Sequence, residues 1–173
     1  SAQVNCDPSF VGNDNHIALM PPVVDVEVPY LCPQGYFGDS ILIDAQDSQA
    51  CTGPCPRGHY CDDLGTIDPK PCPSGTFSPS RGLTNQSDCL TCPRGFWCAE
   101  RTIVPTQCKS GLVSQETGVK DPTCGGPCPI DHYCPAGATG GILCKAGTYG
   151  AQVGLHAQAD CEVCPAGYWY AFC

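Results

Sequence analysis

The spacing of the cysteines constrains this chain more than any other feature. Three cysteine quartets follow one another, and in each of them five residues separate the second cysteine from the third. The second cysteines, continued by a fourth copy, recur every 36 or 37 residues. The quartets are Cys51, Cys55, Cys61 and Cys72; Cys89, Cys92, Cys98 and Cys108; and Cys124, Cys128, Cys134 and Cys144, with Cys161, Cys164 and Cys173 in the fourth copy. A fixed period of this length indicates a repeat protein, whose units contact mainly their neighbours.

The composition favours covalent closure over a large hydrophobic core. Cysteine supplies 17 of 173 residues, a density typical of disulfide scaffolds formed in an oxidising compartment. Leu, Ile, Val and Phe together number 32, under a fifth of the chain, while glycine contributes 20 residues and proline 18. Such a composition disfavours long helices. We therefore predict small disulfide-rich repeats made of short two-stranded β hairpins and loops, with almost no helix, in an elongated array.

A Pro-x-Gly-aromatic block follows the second cysteine of each unit. Its copies are residues 56–60, 93–97, 129–133 and 165–169. Proline presets φ and glycine accepts positive φ, so the block predicts a tight turn that leads into a short extended stretch. Asp131 replaces the glycine in the third copy, and Asp tolerates the left-handed region better than most residues. Each unit is therefore expected to hold two short strands around a turn.

These motifs divide the chain into an N-terminal arm and four units. The arm is residues 1–31, and the units are residues 32–72, 73–108, 109–144 and 145–173. The last unit is incomplete, since Tyr170 stands where its third cysteine would be. We expect Ser1 to be a mature N-terminus left by removal of a signal peptide. We also expect the chain to be a segment of a longer array or an assembly subunit.

The arm contains a short strand pattern. Val24, Val26 and Val28 alternate with Asp25 and Glu27, which gives the period of two typical of a strand. The prolines nearby confine such a strand to the edge of a sheet. Two interpretations stay open: a lead-in that packs on the first unit, or an exposed strand that pairs with another chain. The three valines are therefore the candidate self-assembly residues.

Spacing alone does not determine which cysteines pair. We favour a crossed pattern, first to third and second to fourth within each quartet. That pattern joins Cys51 to Cys61, Cys55 to Cys72, Cys89 to Cys98, Cys92 to Cys108, Cys124 to Cys134 and Cys128 to Cys144, with Cys6 joined to Cys32. A rival pattern closes the long loops, as in Cys72–Cys89 and Cys108–Cys124. The odd number of cysteines leaves one over, which indicates intermolecular pairing or a continuation of the chain.

The cysteine-flanked turn blocks resemble a known family, the ephrin-receptor-like cysteine-rich repeats. The best matches are residues 55–61 and 92–98, with looser matches at residues 128–134 and from Cys164 onward. The resemblance covers residues 32–173. These repeats are related in style to the cysteine-rich modules of TNF and growth-factor receptors. The resemblance implies extended, rod-forming modules of the kind found in surface receptors, adhesion proteins and surface coats.

Two Cys-x2-Cys pairs have a spacing that zinc sites use. They are Cys89 with Cys92 and Cys161 with Cys164. A structural zinc site needs four thiolate or imidazole ligands around one ion, whereas these cysteines belong to a disulfide-like repeat. We therefore expect no metal and no cofactor.

The histidines offer no better basis for catalysis. His59 and His132 occupy equivalent repeat positions, which are filled by Phe96 and Tyr168 in the other copies. A position that accepts either an imidazole or an aromatic ring is read as a packing position beside a disulfide. The sequence also lacks the glycine-rich, serine-elbow and zinc-protease motifs of common enzymes. We expect a protein that is not an enzyme.

Charge and modification signals bear on the partners. A formal charge of −9 argues against nucleic acid, and no apolar run is long enough to span a bilayer. Asn85 begins the chain's N-glycosylation sequon in a long polar loop, so we predict an attached glycan. We expect an extracellular or cell-surface structural protein that assembles with copies of itself into a fibre, appendage or coat. The alternative is a receptor or adhesion ectodomain that binds a protein or glycan ligand.

Overall fold

The computed structural model describes residues 31–38 and 51–167, which form short β hairpins in series. The paired antiparallel strands are β1 (Tyr36–Phe37) with β2 (Gly53–Pro54), β3 (His59–Tyr60) with β4 (Lys70–Pro71), β5 (Thr76–Phe77) with β6 (Leu90–Thr91), β7 (Phe96–Trp97) with β8 (Thr106–Gln107), β9 (His132–Tyr133) with β10 (Ile142–Leu143), and β11 (Thr148–Tyr149) with β12 (Glu162–Val163). An isolated antiparallel bridge between Leu112 and Pro127 takes the place of a hairpin between β8 and β9. We number the hairpins 1 to 7 along the chain and count this bridge as hairpin 5.

Helix is confined to two 3-10 turns in the described residues, Gln86–Asp88 and Gln158–Asp160. The predicted fold class, small disulfide-rich repeats of two-stranded hairpins with almost no helix, is confirmed.

Every numbered hairpin opens on a tight turn of the kind that the Pro-x-Gly block predicts, with Lys109 and Lys145 in place of the proline in hairpins 5 and 7. In hairpin 4 the Phe96 N–H donates to the Pro93 carbonyl at 3.2 Å, and Gly95 takes φ +80° at the third position of the turn. This is the position of a β-turn at which positive φ favours glycine. Asp131 holds the same position in hairpin 6 with φ +62°. The turn chemistry was therefore predicted from local sequence, including its one aspartate variant.

The disulfides alternate between two kinds along the series. Odd-numbered hairpins are closed by bridges of sequence separation 16 to 19, and even-numbered hairpins by bridges of separation 6. The long bridges are Cys32–Cys51, Cys72–Cys89, Cys108–Cys124 and Cys144–Cys161; the short ones are Cys55–Cys61, Cys92–Cys98 and Cys128–Cys134. Each of these bridges lies within one hairpin.

The favoured crossed pairing is wrong, and the rival pairing that closes the long loops is confirmed. Cys55 pairs with Cys61 rather than with Cys72, and Cys32 pairs with Cys51 rather than with Cys6. The physical reason is that a sequence quartet straddles three hairpins. Its first cysteine closes one hairpin, its middle two close the next, and its last opens a third. The turn brings Cys55 and Cys61 to a Cα separation of 5.9 Å, a normal disulfide distance.

The predicted unit boundaries fall on bridged cysteines. Cys72, Cys108 and Cys144 end predicted units, yet each is bonded to a cysteine in the following one. Covalent closure therefore runs across each of these boundaries.

The core of each hairpin is its disulfide. Eight bridged cysteines are fully buried, namely all six of the short bridges and one from each of two long bridges. They are Cys55, Cys61, Cys92, Cys98, Cys128 and Cys134, with Cys72 and Cys108. Tyr60 is buried with Cys72, Cys89 and Leu83 of the next hairpin. Tyr133 packs in the same way against the next bridge and Leu155. Tyr60 and Tyr133 lie in the first strands of hairpins 2 and 6, and each thus covers the disulfide of the hairpin that follows.

Candidate functional site

The surface shared by consecutive hairpins is held by three backbone hydrogen bonds. Between hairpins 3 and 4, two bonds run forward along the chain and one runs back. They are Gly75 N–H to the Cys98 carbonyl (2.8 Å), Ser78 N–H to the Thr102 carbonyl (3.0 Å) and Arg101 N–H to the Cys72 carbonyl (3.1 Å). Both donors of the forward bonds lie near the turn, and the donor of the return bond lies in the loop of the following hairpin.

The same three bonds recur at all six interfaces between hairpins 1 and 7, at N···O distances of 2.7–3.3 Å. The donors are always the third residue of the turn, the residue three positions further on, and a loop residue of the next hairpin with positive φ. The six loop donors are Gly65, Gly82, Arg101, Gly118, Gly137 and Gly154, with φ between +65° and +82°. We call them the left-handed loop residues. Because every bond joins backbone groups, the interface depends on conformation more than on side-chain identity.

Hairpins two apart also touch, through the turn glycines. A Cβ built on Gly35, Gly58, Gly75, Gly95 or Gly111 would lie within 2.8 Å of a carbonyl oxygen of the left-handed loop residue two hairpins later. In each case that oxygen is backbone and cannot turn away. Glycine is therefore needed at these positions for close approach as well as for positive φ. Odd hairpins stack on odd and even on even, so the described stack consists of two interleaved columns.

One interface replaces its glycine with an aspartate and compensates for it. At the equivalent interfaces a turn glycine faces Ser78 or Ser114, whose side chains are almost fully buried and whose hydroxyls donate to nearby carbonyls. In hairpin 6 the turn residue is Asp131, and the residue it faces is Gly150. The Gly150 N–H donates to Asp131 Oδ1 at 3.1 Å. A Cβ on Gly150 would lie 2.7 Å from the Asp131 nitrogen, so there is no room for a side chain at position 150. At this interface the turn residue carries the side chain and the facing residue is glycine, the reverse of the other two.

Two equivalent loops are ordered by an aspartate that precedes a bridged cysteine. Asp160 Oδ2 accepts the N–H groups of His156 at 2.8 Å and Ala157 at 3.0 Å, and these bonds hold the pKa of its carboxyl below the usual range. Asp88 Oδ2 accepts the Asn85 N–H at 2.9 Å in the same arrangement. Asp160 lies 72 residues after Asp88 in an equivalent place. The motif Leu-x-x-Gln-x-Asp-Cys at residues 83–89 and 155–161 is the sequence signal that would have found both caps.

Charged groups outside the stack pair locally. Lys70 Nζ lies 2.8 Å from carboxylate oxygens of both Asp62 and Asp63. These contacts raise the pKa of Lys70 above its usual range, with Asp62 as the largest cause, and lower the pKa of Asp62. Such exposed pairs contribute little to stability. They fix the loop of hairpin 2 without forming a site.

The histidines at equivalent repeat positions make equivalent contacts. Nδ1 of His59 lies 3.0 Å from the Arg57 carbonyl oxygen, and Nδ1 of His132 lies 2.8 Å from that of Ile130. A neutral or charged imidazole can donate in this geometry. The residue that packs on the next disulfide is the neighbouring tyrosine, as shown by Tyr60 beside Cys72 and Cys89. The predicted packing position is therefore displaced by one residue along the strand.

The Cys-x2-Cys pairs supply no free thiolates for zinc. Cys89 and Cys92 belong to bridges of different hairpins, and Cys161 and Cys164 are both disulfide-bonded. Within residues 31–38 and 51–167, no group of three His, Cys, Asp or Glu side chains is placed to hold a metal ion.

The sequon residue Asn85 is exposed and precedes the 3-10 turn Gln86–Asp88. Its Nδ2 donates to Thr84 Oγ1 at 3.0 Å. The candidate assembly residues Val24, Val26 and Val28 lie outside the described residues, as do Cys6 and Cys173.

The described residues thus define a class of protein: a cysteine-rich stack of β hairpins, each closed by its own disulfide. Disulfides in this number indicate formation in an oxidising, secretory or extracellular environment. None of the helices in the described part of the chain has the length and apolar character to cross a membrane. Comparison with protein-family models gives no match, and a search of curated proteins gives none either.

Proposed function

We propose that this protein is an extracellular structural protein, a subunit or segment of a self-assembling fibre, appendage or surface coat. The observation that carries the proposal is the recurrence of one three-bond backbone interface at six successive positions. An interface made of backbone groups accepts any hairpin of the right conformation. A surface of that kind suits a protein whose partner is another copy of itself.

The distribution of covalent and non-covalent bonds supports the same proposal. The seven bridges between described cysteines each lie within one hairpin, while consecutive hairpins are joined by hydrogen bonds and packing. Each hairpin is held closed by its bridge, which limits unravelling and protease attack. The joints between hairpins are non-covalent, so the same kind of joint could form between chains.

The resemblance to ephrin-receptor-like repeats supports an extended surface protein. The cysteine-flanked turn blocks at residues 55–61 and 92–98 carry that resemblance. A glycan on Asn85 would fit an exposed secreted surface. We expect glycosidase treatment of native material to reduce the mass of the peptide that carries Asn85, and an unmodified peptide would contradict this part of the proposal.

Size-exclusion chromatography combined with negative-stain imaging tests the proposal directly. Across a concentration series without reductant, we expect species larger than the monomer and elongated particles. With reductant, we expect loss of the folded particles, because the disulfides replace a hydrophobic core. A strictly monomeric species at high concentration would rule out assembly of this chain.

The N-terminal arm has its own test. Deletion of residues 1–31 removes Val24, Val26 and Val28, the candidate self-assembly residues, and leaves the described hairpins except Leu31. If the arm pairs with another chain, the truncated protein folds but does not assemble. Unchanged assembly would exclude the arm as the joining element.

The second candidate function is ligand capture by a receptor or adhesion ectodomain. Exposed aliphatic side chains in the hairpin loops favour it: Leu64 is 64% exposed, Val104 70% and Val153 57%. A triple variant with serine at these positions keeps the interface backbone. Binding of the parent protein to a glycan or protein array, lost in the triple variant while assembly is unchanged, would support capture over a purely structural role.

A further inference from the structure

The cysteine that closes hairpin 5 stands one position earlier than its equivalents. In hairpins 3, 5 and 7 the opening cysteine lies 20 positions before the first cysteine of the next hairpin. The closing cysteine lies 17 positions after the opening one in hairpins 3 and 7, but 16 positions after it in hairpin 5. Gly125 therefore stands where Cys89 and Cys161 stand in the other two hairpins, and Cys124 closes the bridge from the position before it.

The displaced cysteine has a strained backbone conformation. Cys124 has φ +55°, whereas Cys89 and Cys161 have φ −68° and −73°. In the left-handed region the Cβ of an L-residue lies too close to the following carbonyl oxygen, so a cysteine there is strained. None of the other described cysteines has a positive φ. The bridge of hairpin 5 is thus closed at a backbone cost that the bridges of hairpins 3 and 7 lack.

The secondary structure around the displaced cysteine also differs. In hairpins 3 and 7 the closing cysteine follows a 3-10 turn that an aspartate caps, and a two-residue strand comes after it. In hairpin 5 the aspartate is Asp121, whose Oδ1 accepts the N–H of Thr123 at 3.0 Å within one turn. The isolated bridge between Leu112 and Pro127 takes the place of paired strands. Hairpin 5 therefore has less secondary structure to hold Cys124 against its partner.

Cys124 also keeps solvent-exposed surface. Cys89 and Cys161 are buried, with 8% and 9% exposure, whereas Cys124 is half-buried. Its bridge partner Cys108 has no exposed surface. Thiol–disulfide exchange begins when an external thiolate reaches one sulfur of a bridge, so access to that sulfur limits the rate. In this bridge the approach is open at Cys124 and closed at Cys108.

We infer that the Cys108–Cys124 bridge is a thiol-exchange site, which a small external thiol such as glutathione opens before the other described bridges because Cys124 is displaced. Strained and accessible bridges are the ones that thiols reduce most readily. The inference goes beyond the proposed function and does not depend on whether the chain assembles.

The external thiol supplies both the nucleophile and the electrons. Its thiolate attacks Cys124 Sγ and forms a mixed disulfide, while the bond to Cys108 breaks and leaves its electron pair on Cys108 Sγ, which takes a proton from water. A second thiolate then attacks the sulfur of the first thiol and releases Cys124 as a protonated thiol. The two thiols leave joined as their own disulfide, so they lose the two electrons that the bridge gains.

The exchange loosens the middle of the described stack. The bridge closes the loop that contains Gly118 and Val119. The Gly118 N–H donates to the Cys92 carbonyl at 2.8 Å, and the Val119 carbonyl accepts the Cys98 N–H at 3.0 Å, so this loop supplies two of the three bonds between hairpins 4 and 5. The Gly118 carbonyl is also the one that lies against Gly75. A thiol that acts at one bridge therefore releases contacts to both preceding hairpins.

The Cys32–Cys51 bridge separates the effect of exposure from that of strain. Cys51 is half-buried like Cys124, but it does not have a positive φ, and hairpin 1 has the paired strands β1 and β2. If exposure alone decided the order of reduction, the two bridges would open together. We expect the bridge of hairpin 5 to open first.

Peptide mapping across a series of dithiothreitol redox buffers gives the readout. The full, natively bridged chain is equilibrated at each ratio of reduced to oxidised dithiothreitol, free thiols are alkylated, and the labelled cysteines are identified by mass spectrometry. We expect half-reduction of Cys108–Cys124 at a ratio at least about tenfold below that needed by the other long bridges, which are Cys32–Cys51, Cys72–Cys89 and Cys144–Cys161.

Two further measurements use the same protein. Brief treatment with glutathione, stopped by acid, should leave the mixed disulfide on Cys124. At the ratio that reduces this bridge, hydrogen exchange should quicken at the Gly118 amide and stay unchanged at Gly82 and Gly154, the equivalent residues of hairpins 3 and 7. Unchanged exchange at Gly118 would contradict the loosening of the stack.

A positional swap tests the cause. Cys124→Gly combined with Gly125→Cys restores the spacing of 17 positions found in hairpins 3 and 7. We expect the swapped bridge to open at the same ratio as Cys72–Cys89, and a swapped bridge that still opens first overturns the inference. A Cβ on Gly125 would lie 2.6 Å from the Val113 carbonyl oxygen, so the variant must adopt the backbone of hairpin 3. If the variant does not fold, the series in the parent protein decides alone.

The parent protein offers three results that would overturn the inference. Reduction of Cys108–Cys124 and Cys72–Cys89 at one ratio removes the preference. Earlier opening of Cys32–Cys51 makes exposure alone the determinant. Glutathione found on Cys108 instead of Cys124 contradicts the point of attack.

Discussion

Replacement of Gly75 by alanine tests the two-column stack at a single atom. A Cβ at this position would lie 2.5 Å from the Gly118 carbonyl oxygen and 3.3 Å from its carbonyl carbon. These are backbone atoms two hairpins away, so relief requires the stack to shift. Alanine at φ +89° also carries a left-handed penalty of about 1–2 kcal/mol. Overpacking of a close contact adds about 1–3 kcal/mol. The expected loss of folding free energy is therefore about 2–5 kcal/mol.

Gly147→Ala separates the two contributions. Gly147 has the same turn position and a φ of +82°, with no described atom within 4 Å of the added methyl group. In dilute protein this variant should lose only the left-handed penalty of about 1–2 kcal/mol. The difference between the two variants, about 1–3 kcal/mol, measures the contact between hairpins 3 and 5.

Native-state hydrogen exchange with intact disulfides is the appropriate assay, because a repeat array need not unfold in a single step. The reporters are the amides of Arg101 and Gly118, which donate to the Cys72 and Cys92 carbonyls at 3.1 and 2.8 Å. We expect their protection in Gly75→Ala to fall about tenfold or more below that in Gly147→Ala, the factor that corresponds to ~1.4 kcal/mol. Equal protection in the two variants would refute the column contact.

Three further predictions concern the side chains of the stack. Gly150→Ser alone should destabilise the protein by about 1–3 kcal/mol through its clash with Asp131. Addition of Asp131→Gly should recover most of that loss, as measured by denaturant unfolding. If the free-energy costs of the two substitutions simply added, the coupling between positions 131 and 150 would be contradicted. Arg101→Gly should raise stability by about 1 kcal/mol, because Arg101 holds φ +65° at a position where glycine carries no such strain. An unchanged or lower unfolding midpoint would contradict this expectation. Asp160 has a lowered folded-state pKa, so its stabilising contribution is present above about pH 4 and is lost as the pH falls through the folded pKa. The stability difference between the parent and Asp160→Asn should therefore shrink from about pH 6 to about pH 2 in thermal unfolding, and a constant difference would exclude this role for the carboxylate.

The fold class could be predicted because its determinants are local. A Pro-x-Gly block fixes a turn within four residues, and the hairpin strands are only two residues long. The density of cysteine, together with few apolar residues, leaves disulfides as the main source of closure. These features act within one hairpin, so sequence pattern and structure agree.

The pairing of the cysteines could not be predicted in this way. The crossed and the loop-closing patterns use the same cysteines with plausible loop lengths, and spacing does not separate them. The structure decides between them because the second strand of each hairpin pairs with the first strand of the same hairpin. Cys72 therefore meets Cys89 at a Cα separation of 5.9 Å instead of meeting Cys55.

The candidate site shows the same division. Sequence alone determined the period, the turns and the positions at which glycine or Asp131 must accept positive φ, because these depend on neighbouring residues. Only the tertiary structure revealed that Gly75 lies against the Gly118 carbonyl and that Asp131 is matched by Gly150. The interface hydrogen bonds and the glycine contacts between hairpins join residues 19 to 47 positions apart in sequence, as Asp131 with Gly150 and Gly35 with Gly82 illustrate. No local pattern encodes them; they arise when closed hairpins stack, and stacking is where this chain acquires its function as we propose it.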